Sequence, residues 1–181
     1  MAYLITVVVL EESRSGRLAQ GLAQLLGRLV PVAVAGPRCC QVPGEPPALL
    51  VYPGGEGAVV RAPRTMAVLS PQLEHCPGIT LPEDARVLLP SQNPWAARFA
   101  SQGGFSLVDC GLTLRDTLTL SSHTQLESVV TLQRSVEDLW GRPVEPVDLP
   151  LPLGREYPAH LLLYLAGVCL LAGWTQRLAG L

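Results

Sequence analysis

The chain of 181 residues contains no lysine; all 13 of its basic residues are arginine. A Walker phosphate loop sets a lysine on the β- and γ-phosphates, and a Schiff-base enzyme needs a lysine amine, so both chemistries are excluded. Charge of either sign is scarce. Charged residues make up 15% of the chain against 48% apolar, the net charge is −2, and there is no basic block. Nucleic-acid binding needs clustered cations, so it is not expected. The five cysteines (Cys39, Cys40, Cys76, Cys110 and Cys169) are odd in number and lack CxxC spacing. They read as reduced thiols of a cytoplasmic protein. His75, His123 and His160 lie far apart, with no metal-ligand spacing between them. His75 and Cys76 are adjacent, and neighbours on an extended chain point opposite ways, so the pair reads as loop. GxSxG and GxGxxG are both missing, which removes support for a nucleophile elbow and a dinucleotide fingerprint. The longest apolar run, Leu161 to Trp174, is 14 residues, short of the roughly 20 needed to span a bilayer.

What is present reads as an α/β chain. "YLITVVVLE" is a strand buried on both faces, and the acids that follow it argue against a signal peptide. "SRSGRLAQGLAQLLGRLV" is a helix with Leu18, Leu22, Leu25, Leu26 and Leu29 on one stripe, and "VPVAVAG" is the next strand. "GPRCCQVPGEPPA" is a Pro/Gly-rich loop, and "LLVYPGG", "TMAVLSP" and "ARVLLPSQ" are strands. "NPWAARFASQGG" is a helix capped by Asn93, with Pro94 in its first turn. From "FSLVDCG" to "PVEPVDLPLPL" the texture turns β-rich, and an antiparallel patch is expected over about residues 106 to 150. "PAHLLLYLAGVCLLAGWTQRLAGL" closes the chain as a buried helix. The expected fold class is α/β: one domain over 1–181, a mainly parallel sheet with flanking helices, an antiparallel segment and the C-terminal helix. In "CGLTLRDTLTLSS", Leu112 and Leu114 share one face, as do Leu118 and Leu120. Thr113, Thr117 and Thr119 then supply a solvated face, with Arg115 and Asp116 as a turn or bulge between two strands.

In open α/β sheets ligands sit at the carboxyl ends of strands, and a helix N-terminus attracts anions. Ser13, Arg14, Ser15, Gly16 and Arg17, between the first strand and first helix, are therefore candidates for a small anion. The competing reading is that the serines only cap the helix. Ser91 and Asn93 after "VLLP", Gly111 after "LVDC", and the Arg115–Asp116 break complete the candidate ligand-binding set.

The second half carries a resemblance. "VLLPSQNPWAARFA", then "SLVDCGLTLRD", then the strands of residues 115 to 150, then "LGREYPAHLLLYLAGVCLLAG" follow one another in an order that resembles the later central domain of the Mur ligases. These are ATP-dependent enzymes of peptidoglycan precursor synthesis. "CGLxxxDTLTLSS" with "LQRSVEDLWGRPVEPVDLP" also resembles a short bacterial family built on the same plan. The ligases' Asn-x-Asp-Asp-Pro falls here on Pro90, Ser91, Gln92, Asn93 and Pro94, so both carboxylates are replaced. Their His-Asn pair falls near Tyr157 and Pro158, with His160 displaced. Residues 1–84 form the β-α-β part and 85–181 the ligase-like part. The resemblance implies a scaffold kept without ATP chemistry. The expectation is a non-catalytic cytoplasmic binding or scaffold protein linked to peptidoglycan metabolism, with a protein partner, no cofactor and no membrane span. One alternative is a remnant that binds a nucleotide or sugar nucleotide at the strand ends; another is a membrane anchor over residues 158 to 174.

Overall fold

A computed structural model describes residues 4–12, 16–36, 39–54 and 57–181, the side chain of Cys39 excepted. In chain order the elements are β1 (Ile5–Leu10), α1 (Arg17–Leu26), β2 (Val32–Gly36), β3 (Cys39–Gln41), β4 (Leu49–Pro53), β5 (Thr65–Leu69) and β6 (Arg86–Pro90). Then come α2 (Pro94–Gln102), β7 (Ser106–Gly111), β8 (Leu118–His123), β9 (Ser128–Leu132), β10 (Val136–Glu137), β11 (Pro143–Val144), β12 (Val147–Leu151), α3 (Ala159–Leu171) and a 3₁₀ turn over Thr175–Gly180. One ten-stranded sheet runs β12-β9-β8-β7-β6-β5-β1-β4-β2-β3, and β10 and β11 form a separate ribbon. From β2 to β8 across that sheet all neighbours are parallel, while β3 at one end and β9 and β12 at the other are antiparallel.

Helices on both faces explain why β1 is buried at every position, with Thr6 its one polar residue. Val7 and Val9 join Met66, Val68 and Leu88 on the face covered by α1 and α3. Val8 and Leu10 join Ala67, Leu69, Val87 and Leu89 on the face covered by α2. Alternate residues of a strand point to opposite faces, so a strand covered on both sides needs no polar position.

Helix α3 is buried from Leu161 to Leu171. A helix apolar all round is a core helix. Its first turns lie at the carboxyl ends of the strands, where the Tyr164 hydroxyl donates to the Leu69 carbonyl at 2.6 Å. Its last turn lies at the amino ends, where the Leu171 carbonyl accepts from the Leu139 N–H. Gly173, at φ 66°, ends the helix and turns the chain into the 3₁₀ segment. No helix among the described residues is long and apolar enough to cross a membrane.

Three expectations change. The loop "GPRCCQVPGEPPA" contains a short strand, β3, which pairs antiparallel with β2 and so edges the sheet. Residues 112–117 are a turn and not strand, so Leu112 and Leu114 are exposed. Thr117 and Thr119 are buried at 5% and 3% exposure, not solvated. Finally, β7 and β8 are parallel neighbours. Parallel neighbours ordinarily need a crossover of a dozen residues or more. Here they overlap at only two pairs, Cys110↔Leu118 and Gly111↔Thr119. The chain therefore steps sideways by one strand through a short loop and continues in the same direction. A bulge between Leu120 and Ser122 follows.

Gly167 marks the closest approach of α3 to the sheet. A Cβ there would meet Leu88 Cδ2 at 2.6 Å and Leu118 Cδ1 at 3.0 Å, and both leucines are fully buried. Gly167→Ala is expected to destabilise the protein by about 1–3 kcal/mol through overpacking. Urea unfolding measures it, and an unchanged midpoint would mean that the helix can lift away freely.

Candidate functional site

The carboxyl ends of β1, β5, β6 and β7, with the N-termini of α1 and α3, form the edge where such sheets bind ligands. Ser13, Arg14 and Ser15 lie outside the described residues. Gly16 is left-handed at φ 61° and precedes the first helical residue, the exposed Arg17. The helix has no capping side chain of its own at this residue. Its amides are met instead by Glu11, from the end of β1. One carboxylate oxygen accepts from Leu18 N–H and the other from Ala19 N–H, each at 3.1 Å. A capping oxygen normally takes these same second and third amides. A negative charge there is also favoured by the helix dipole. The anion position of α1 is thus filled by the protein's own carboxylate.

Glu12, the next residue, turns to the loop after β5. Its Oε1 accepts from the backbone N–H of Glu74 at 2.9 Å and of His75 at 3.1 Å, and lies 2.7 Å from His75 Nδ1. The Cys76 thiol faces the Gln102 side chain instead, at 3.6 Å. The two neighbours are held by different partners, as a loop would hold them.

Ser91, Gly111 and Asp116 do come together. Asp116 is 4% exposed, and one of its oxygens accepts from Thr113 N–H at 2.8 Å and Thr113 hydroxyl at 2.9 Å. The Ser91 hydroxyl also bonds the Asp116 carboxylate. Gly111 sits so close that a Cβ would collide with Asp116 Oδ2 and Ser91 Oγ. Burial alone would raise the Asp116 pKa, but the Thr113 N–H, the Ser91 and Thr113 hydroxyls and the Arg134 charge outweigh it and hold it below the usual value. Asp109 braces the other end of the loop, accepting from Thr117 N–H at 3.1 Å and Thr117 hydroxyl at 2.6 Å. Arg134 donates to the Arg115 carbonyl. Burial, and then the charges of Asp109 and Asp116, push the Cys110 thiol well above its usual pKa, so it stays protonated.

Asn93 is fully engaged. Its Oδ1 accepts from Trp95 and Ala96 N–H, and its Nδ2 donates to the Pro71 and Leu73 carbonyls. His160, on the first turn of α3, has its pKa lowered by burial and packs edge-on to Tyr164. Cys40, Cys76, Cys110 and Cys169 are free thiols. Among the described residues no three His, Cys, Asp or Glu side chains gather as a metal site.

No protein-family model matches the sequence. No curated protein matches it significantly. Solved structures do. MurF from Acinetobacter baumannii superposes with a TM-score of 0.59 at 12% identity, over 98% of this chain and 45% of that one. A UDP-N-acetylmuramoyl-L-alanyl-D-glutamate–2,6-diaminopimelate ligase gives 0.59 at 9% identity, over 97% of this chain and 45% of that one. The chain has a Mur ligase-like fold. It spans less than half the length of these two ligases, and the likeness runs over nearly all of it, beyond residues 85 to 174. A third structure, the UDP-N-acetylmuramate:L-alanyl-gamma-D-glutamyl-meso-diaminopimelate ligase from Neisseria meningitides, gives 0.50 at 12% identity, over 99% of this chain and 62% of that one.

Glu11 is the edge residue that sequence reasoning missed. Its partners lie seven and eight residues ahead, beyond any local capping pattern. The acid directly after the first strand was the available signal. Glu11→Ala should lower stability by about 1 kcal/mol, as loss of a cap does. Urea unfolding reads this directly, and no change would mean that the carboxylate does not cap the helix.

Asp116 and Asp138 carry a pH prediction. Asp138 is buried, with burial outweighed by the backbone and side chain of Arg142 and by Trp140 N–H, so its pKa is also lowered. A depressed carboxylate contributes stability that is full above the unfolded value of about 3.9 and is lost as pH falls through the folded value. Stability should therefore drop below about pH 4, and less steeply in Asp116→Asn and Asp138→Asn. Denaturation series at pH 7 and pH 3 test this, and equal pH slopes in all three proteins would contradict it.

Proposed function

We propose that this protein is a non-catalytic binding or scaffold protein that acts in the cytoplasm beside peptidoglycan precursor ligation. The observation that carries the reading is the Glu11 carboxylate on the α1 amides. Two of the α1 backbone donors that would hold a phosphate, Leu18 and Ala19 N–H, already hold an acid, and a second anion would meet its charge. The rest of the edge supports the same view. Asp116, Ser91 and Gly111 close on one another, and Asn93 spends its amide on loop carbonyls and the cap of α2. The ligase-like fold supplies the link to peptidoglycan, and the protein partner follows from a scaffold role.

A second reading has one observation in its favour: Ser91, Gly111 and Asp116 converge at the edge where such sheets take ligands. On this reading a nucleotide or sugar nucleotide still binds there, with Gly16, Arg17 and Arg115 beside it. One experiment separates the two. Thermal unfolding is followed with ATP, ADP and UDP-sugars, with and without magnesium. A ligand at a hundred times its Kd would add about 2.7 kcal/mol, visible as a shift of several degrees. No shift at millimolar concentration is expected. A saturable shift that Arg17→Ala abolishes would overturn the non-binding reading of the edge.

A further inference from the structure

Two exposed features at opposite ends of the sheet complement each other. At the carboxyl end, the loop of residues 112–117 presents Leu112 and Leu114, 68% and 82% exposed. The loop is braced from within: Asp116 holds Thr113, Asp109 holds Thr117, and Arg134 holds the Arg115 carbonyl. The leucines therefore stand in water on a fixed frame. Arg115 follows Leu114, and its guanidinium has no partner among the described residues.

At the amino end, the segments before β5 and β6 meet at the parallel bridge Val59↔Thr80. They flank a shallow cleft, wide open to solvent, lined by Val59, Leu81 and Pro82, with Arg61, Glu83 and Asp84 also on its walls. Glu83 and Asp84 are exposed, and among the described residues neither has an ion-pair partner. Two carboxylates against one guanidinium leave the rim net negative.

We infer that the Leu112–Leu114 loop of one copy seats in the cleft of a second copy, with Arg115 against Glu83 and Asp84. An apolar knob with a cation beside it meets a shallow apolar hollow with a negative rim. Knob and hollow are different patches of one chain, so copies can join head to tail. Such contacts close into rings or extend as filaments, according to the rotation between copies. This surface is independent of the α1 amides and of the nucleotide question.

Sedimentation and light scattering over a concentration series test it. The mass should exceed the 19.3 kDa of one chain and rise with concentration. Leu114→Asp spoils the knob and Val59→Asp spoils the hollow; Val59 is 58% exposed, so both changes fall on solvated side chains. Each variant alone should be monomeric, and an equimolar mixture should give a 1:1 pair and nothing larger. Arg115→Glu should weaken association at least tenfold, and adding Asp84→Arg to it should restore most of the loss. If either apolar variant fails to fold by circular dichroism, the charge pair decides alone. A wild-type protein monomeric at every concentration, association unchanged by Leu114→Asp or by Arg115→Glu, or a cleft that takes small apolar compounds while the chain stays monomeric would each overturn the inference.

Discussion

Helix α3 is apolar around its whole circumference, so the rest of the chain has to cover it on every side. The sheet covers one side through Leu88, Val108, Leu118 and Val130, and α1 and the 3₁₀ turn cover others. Gly21 of α1 lets the Leu161 side chain approach to van der Waals contact, and Gly167 does the same for the sheet. Each leucine so buried is worth roughly 1.5–3 kcal/mol against exposure. The polar contact of Tyr164 with the Leu69 carbonyl then fixes where α3 sits along the strands. The α3 N-terminus is thereby placed at the carboxyl edge.

Much of this architecture was legible because hydrophobic period and helix punctuation agree. The apolar run of β1, the leucine stripe of α1 and the Asn93–Pro94 start of α2 each point to one structure. The misreadings have local causes. Leu/Thr alternation in residues 112–117 imitates a strand, but Asp116 and Asp109 bond back to the loop's own N–H groups and hydroxyls and draw it into a turn. The strand β3 is hidden in a Pro/Gly-rich stretch, because only pairing with β2 makes it a strand. Thr119 lies directly opposite Thr131 of β9 and is buried, although its residue type tolerates water.

The candidate edge was legible as a place and not as a chemistry. Strand ends locate Ser91, Gly111 and the α1 start without any knowledge of partners. What each side chain does there depends on contacts distant in sequence. Glu11 reaches over the turn to α1, Glu12 reaches the loop after β5, and Ser91 meets Asp116. Two neighbouring acids thus serve two different loops. This explains how an edge with several carboxylates can be inwardly satisfied and offer few open donors.

The sideways step between β7 and β8 has a consequence for how the molecule comes apart. Only two residue pairs connect the parallel sheet to the antiparallel trio β8-β9-β12. Backbone hydrogen bonding across that seam is thin, and continuity there is supplied by α3, which packs on both sides of it. The seam is a natural boundary between cooperative units, of the kind that amide hydrogen exchange resolves as separate openings. The trio can fray from its outer edge at β12 while the parallel strands stay closed. Loss of α3 instead uncouples both parts at once, so the last long helix in the chain acts as the clasp between two otherwise weakly joined sheets.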